Sequence, residues 1–265
     1  IDTQEDSLGI VNAFQLRRPG DFKEISSLAE LLPDAYLSFT QTRDIAADSD
    51  TGLVNTAPYF TVSGNEDQDY WVISNLQNSL FDKNLGTVSG LTLKAANCSD
   101  AAMARENDGT ISDCLVSGSV ASTDNSAGFV QYNEGYIENC AYQGSVDGEN
   151  AAGFVLQNDG TIRKCAAKID QVTGGESAAG FALWSQSGTI ESCAALGGNV
   201  SANGTAYGFC AEGGRIDQCS ANAGLSGKTT TVGFAGSGTI QNSYTVSDAV
   251  TGFTETGTCS YCYAC

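Results

Sequence analysis

The chain contains no histidine, a single methionine and only three prolines, and its 12 Lys plus Arg stand against 31 Asp plus Glu, a formal net charge of −19. Each shortage excludes something. Without histidine the commonest general base and the commonest metal ligand are missing, which removes Ser-His-Asp and Cys-His catalysis and His-zinc centres. The few cations cannot form the basic patch that a nucleic acid requires, so no nucleic-acid partner is expected. Negative charge also repels anionic lipid head groups, and no run of about 18 apolar residues is present to span a bilayer, so no membrane insertion is expected. Scarce proline beside 31 glycines, with 41% hydrophobic residues, excludes both collagen and disorder and points to many tight turns. A length of 265 residues fits one all-β barrel or solenoid.

What is abundant is repetition. A glycine is followed by a polar residue, an aliphatic one, two polar ones and usually cysteine: Gly109-Thr110-Ile111-Ser112-Asp113-Cys114, Gly135-Tyr136-Ile137-Glu138-Asn139-Cys140, Gly160-Thr161-Ile162-Arg163-Lys164-Cys165, Gly188-Thr189-Ile190-Glu191-Ser192-Cys193 and Gly214-Arg215-Ile216-Asp217-Gln218-Cys219. Looser copies start at Gly86, Gly238 and Gly257, and successive anchors lie 23, 26, 25, 28, 26, 24 and 19 residues apart. Four to seven residues ahead of each anchor sits a second landmark: Phe81, Met103, Phe129, Phe154, Phe181, Phe209, Phe234 and Phe253. A third apolar position recurs at Val120, Val146, Val200 and Leu225.

Three short apolar segments per repeat, none with helical periodicity, describe one coil of a parallel β-solenoid whose coils pair about 4.8 Å apart. Strict alternation cannot place both the Ile and the Cys of an anchor inside, so a bend is expected between them. The expected core is three inward columns, of Ile, Phe and Cys. The outward column after the anchor glycine (Thr87, Thr110, Tyr136, Thr161, Thr189, Arg215, Thr239, Thr258) reflects β-propensity, since Tyr136 and Arg215 interrupt the flat threonine array that would order water. Eight anchors predict about eight coils, a rod of about 38 Å.

Residues 1–85 are read as an N-terminal cap with the first coil or coils, and 86–265 as one continuous repeat unit. Within the cap, a helix is expected over about 21–32, with Phe22, Ile25, Leu28, Leu31 and Leu32 on one face, Asp21 as N-cap and Pro33 as stop. Such a helix would shield the open first coil.

The repeats from Gly109 to about Phe253 resemble the GLUG motif of bacterial cell-surface proteins, among them IgA-specific peptidases and adhesin-like proteins. Upstream, Phe22 to Leu31, Tyr36-Leu37, Asp44-Ile45 and Trp71-Val72-Ile73-Ser74-Asn75-Leu76 are similar to the segment that leads such arrays. The family's Gly-Gly-Leu element is replaced here by Ala127-Gly128-Phe129 and Ala152-Gly153-Phe154. The resemblance implies a right-handed parallel β-helix on a bacterial surface.

Ten cysteines are present, but five share one repeat slot, and neighbouring side chains in a stacked column point the same way, which disfavours bridging. Cys114, Cys140, Cys165, Cys193 and Cys219 are therefore expected as buried free thiols. Leu91 and Ser243 hold the equivalent slot, and neither can ligate or cross-link. Cys259, Cys262 and Cys265 could form a disulfide or bind metal, though by register Cys259 and Cys262 fall in the Ile and Cys core slots. Acidic residues are scattered rather than grouped, so no catalytic, cofactor-binding or metal-binding residue is assigned and no cofactor is expected.

The reading that follows is a non-catalytic, adhesin-like module, secreted or displayed on a bacterial surface. It would act as a monomer or as part of a longer surface protein, binding a host or matrix glycan or protein. The alternatives are a carbohydrate-active lyase or hydrolase and a passive stalk.

Overall fold

In the computed structural model the described residues are 23–25, 38–41, 44–47, 54–55, 61–63, 72–246, 249 and 251–265. They form a parallel β-solenoid of about seven turns, with no helix among them. The anchor segments stack in register. Thr87–Ser89, Thr110–Ser112, Tyr136–Glu138 and Thr161–Arg163 pair in sequence, and the column continues through Ala182–Glu191, Cys210–Asp217 and Ala235–Gln241 to Thr258–Ser260. It also runs backward, through Thr61–Ser63 and Ser38–Gln41 to Lys23–Ile25.

Two expectations are corrected here. Lys23–Ile25, inside the expected helix at 21–32, is a strand paired with Ser38–Gln41; the other residues of that segment lie outside the described residues. Its helical spacing of apolar residues is overridden where a neighbouring strand offers a backbone ladder. The count of about eight coils becomes about seven turns because eight anchors bound only seven intervals.

The bend between Ile and Cys is built by one residue in the left-handed region, immediately before each cysteine: Asp113, Asn139, Lys164, Ser192 and Gln218, with φ from 52° to 56°. Gly90 takes the same place in the looser copy at Gly86, at φ 66°. The chain turns there, so Ile and Cys both face inward.

The anchor glycine has a different cause. A Cβ built on Gly135 would run into the carbonyl oxygen of Gly109, and one on Gly160 into that of Gly135. Backbones approach too closely at this corner for any side chain.

Inside, the Ile column from Ile111 to Ile240 is buried. From Phe129 to Phe253 the rings stack with centroids 4.7–4.9 Å apart, one ring per coil. Offset stacks of this kind add to area burial. At the start of the column Leu80, rather than Phe81, stands in register with Met103, because Phe81 pairs with Ala104. A ladder of asparagines completes the interior. Asn84 donates to Asn107, Asn107 to Asn133 and Asn133 to Asn158, each at 2.7 Å, and Asn158 donates to the Ser185 hydroxyl at 2.9 Å.

Candidate functional site

The cysteine column is structural. Cys114, Cys140, Cys165, Cys193 and Cys219 are buried free thiols. Each thiol donates to the carbonyl two residues before it, at 3.0–3.2 Å. Each from Cys140 onward also accepts the backbone N–H of the preceding cysteine, at 3.4–3.5 Å. Ser243 takes over both contacts at the end of the series, accepting from Cys219 N–H at 3.1 Å and donating to Gln241 O at 2.6 Å. Burial holds the Cys140 and Cys193 thiols well above the ordinary thiol range, so they stay protonated.

Of the C-terminal cysteines, Cys259 and Cys262 are joined by a disulfide and Cys265 is free and exposed. Cys259 does pair with Ile240, as its slot requires, but it is exposed, not a core residue. Its coil is covered from one side only among the described residues. None of these residues gathers three metal-ligating side chains within the described part of the chain.

The surfaces able to receive a ligand lie along the sides. The first is a polar trough of about 410 Å³ crossing several coils where the post-cysteine strands turn; Thr123, Asp147, Glu149, Thr173, Asn203 and Lys228 line it. Lys228 Nζ donates to Asn203 Oδ1 at 2.5 Å, tying the cation to its neighbouring coil. Glycines 148, 174 and 175 form its floor, where a side chain would collide with Ser126, Ser177 and Glu149.

The second surface follows the Phe column. The residue three positions after each phenylalanine points outward, giving Tyr132, Gln157, Trp184, Glu212 and Ser237 in register on successive coils. Two adjoining hollows of about 260 and 220 Å³ open on this column and share Gln157 and Asp159. The rings of Tyr132 and Trp184 are half-buried, packed on a small apolar cluster outside the main core that includes Ala152, Leu156, Ala179 and Leu183. Among the residues lining the two hollows one lysine, Lys83, faces five carboxylates, Glu106, Asp108, Glu134, Asp159 and Glu212. Lys83 is already paired with Glu106 at 3.1 Å and Asp108 at 2.6 Å, and those bonds raise its pKa, Asp108 most. Gln157 donates to Asp159 at 2.7 Å, and Gln186 donates to Glu212.

Sequence reasoning named none of these outward residues. The signal was a fixed offset: Tyr132, Gln157, Trp184 and Glu212 each follow a landmark phenylalanine by three places. The asparagine ladder was equally legible, two residues before the anchors at Gly86, Gly109, Gly135 and Gly160.

No known family profile matches the chain, and no curated protein matches its sequence. A solved structure does share its fold. The crystal structure of a candidate immunoglobulin A1 protease from Bacteroides ovatus superposes with a TM-score of 0.63 at 15% identity, over 88% of this chain and 85% of that one. A likeness at that identity carries the solenoid architecture. The expectation of a non-catalytic chain is corrected to this extent: a protein named as a protease shares the fold, so the fold gives no ground for excluding an enzyme.

Proposed function

We propose that this solenoid binds an extended polymer, a host or matrix glycan or protein, along its side while displayed on or secreted from a bacterial cell. The observation that carries the reading is the register of the outward columns. Side chains recur at the coil spacing and build troughs parallel to the axis, a shape that suits a chain-like ligand. The likeness of the repeats to GLUG motifs supports surface display, as monomer or as part of a longer surface protein. The charge of −19 selects against nucleic acids and anionic polymers.

The experiment is a glycan and matrix-protein array probed with the labelled chain. Binding to extended glycans or fibrous proteins supports the reading, and silence across the array overturns it. The name of the Bacteroides ovatus neighbour favours a second reading, cleavage of an immunoglobulin substrate. In a chain without histidine, such chemistry would take its base from a carboxylate or a lysine. Gel analysis of immunoglobulin A1 incubated with the protein decides it, new fragments being the positive result.

A further inference from the structure

We propose that the two adjoining hollows lined by Tyr132 and Trp184 bind a β-linked glycan whose sugars are neutral or carry amino groups; the inference rests on the polymer-binding function above and names its site and ligand class. The two aromatic residues occupy the same outward position, separated by the one coil that carries Gln157. Two coil spacings put them roughly 9.6 Å apart along the axis. In an extended β-linked glycan each sugar advances by about one such spacing and successive rings turn over, so the same sugar face returns at every second residue. Aromatic platforms on alternate coils match that repeat.

The chemistry agrees with the spacing. Each ring is anchored against the outer apolar cluster, so its orientation is set before a ligand arrives and little freedom is lost on binding. Between the rings, Gln157 and Asp159 belong to both hollows and offer acceptors and an amide donor to the hydroxyls of the intervening sugar. With Lys83 held by Glu106 and Asp108, the carboxylates Glu134, Asp159 and Glu212 set the local potential. That potential repels uronates and sulfates and attracts ammonium groups. A peptide strand repeats every ~6.6–6.8 Å and misses the platforms. A polyproline helix, at ~9.3 Å per turn, comes closer, but its recognition grooves are lined mainly with aromatic rings, whereas here amides and carboxylates separate the two rings.

The test titrates the whole chain with a β-1,4-linked glucosamine hexamer, cellohexaose, heparin, and a basic proline-rich peptide, followed by calorimetry and by tryptophan fluorescence. Both uncharged and amino-bearing hexamers should bind and heparin should not. Trp184→Ala and Tyr132→Ala should each weaken binding at least tenfold with the circular dichroism spectrum unchanged. Trp184→Phe, which keeps a platform and guards against a folding defect in the alanine variant, should lose less than threefold. Asp159→Asn should weaken the glucosamine hexamer more than cellohexaose. If the proline-rich peptide alone binds, or if the hexamers bind the platform variants as well as the parent chain, the glycan site is wrong while polymer binding stands. If neither these ligands nor any array partner binds, both fall.

Discussion

At the scale of single residues the asparagine ladder shows how a buried polar group becomes a source of order. Asn133 accepts from Asn107 and donates to Asn158, both at 2.7 Å, and it is fully buried. Removing it orphans a donor below and an acceptor above, at about 1–3 kcal/mol for each buried group left unpaired. Asn133→Ala should therefore lower stability by about 2–6 kcal/mol in urea denaturation. Asn133→Ser should cost less, since Ser185 already receives Asn158 at the end of the ladder. Equal losses in the two variants would show that volume, not hydrogen bonding, dominates the column.

Cys98 sets an alkaline limit. Burial pushes its thiol pKa up to about 12, against an ordinary value near 8.5 in an unfolded chain. Between those values the unfolded chain has lost the proton and the folded chain retains it. The folded state then binds more protons, so its stability is complete below about pH 8.5 and falls as pH rises toward 12. Buried Tyr142 and Cys210, also shifted upward by burial, act in the same direction. Denaturation midpoints measured from pH 8 to 11 should decline, and Cys98→Ala should flatten part of that decline. An unchanged slope in the variant would exclude Cys98 as a cause.

At the scale of the element, each corner of a coil is decided by its backbone. Gly135 must lack a side chain because its Cα faces the Gly109 carbonyl in the coil before it. Backbone cannot yield there as a flexible side chain would. Gly135→Ala should cost about 1–3 kcal/mol or more through overpacking. Gly252→Ala should be close to neutral, because a Cβ there meets only the Ala264 Cβ, at 4.0 Å. Thermal melts of the two variants compare them directly, and similar losses would refute the close-approach account.

The anchor motif was readable in the sequence because this corner recurs with the same requirement. The left-handed residue before each cysteine was not readable as a type, since Asp113, Asn139, Lys164, Ser192 and Gln218 share no chemistry. What they share is position. The need for a bend followed from alternation alone, and only the stacked backbone shows that one residue supplies it.

At the scale of the molecule, about seven turns at ~4.8 Å give a repeat array of roughly 34 Å, extended further by the upstream strands that join the anchor column. Small-angle scattering should show an elongated particle with a cross-section smaller than its length. A spherical profile would be incompatible with the stacked coils. Charge acts at this scale too. Among the described residues most ion pairs join adjacent coils at the surface, such as Lys164 with Glu138 at 2.9 Å and Arg163 with Glu191 at 3.3 Å. Exposed pairs of this kind contribute little to stability, so screening them costs little, whereas screening the repulsion of a net charge of −19 should raise the melting temperature as salt is added.

The sequence by itself determined the coil: the glycine corner, the Ile, Phe and Cys columns and the exclusion of helical repeats all follow from a period that a solenoid must repeat in register. It also determined the sign of the field around the molecule. Tertiary structure decided what the period could not express. It converted Lys23–Ile25 from an expected helix into a strand because a neighbour offered its backbone, and it left Cys259 exposed, with a neighbouring coil on one side only among the described residues. It also brought Tyr132 and Trp184, 52 positions apart in the chain, into one outward column. Inward residues repeat because each must match its neighbours in a packed core, and so they mark themselves in the sequence. Outward residues answer to solvent and ligand, vary from coil to coil, and become a surface only when the coils are stacked.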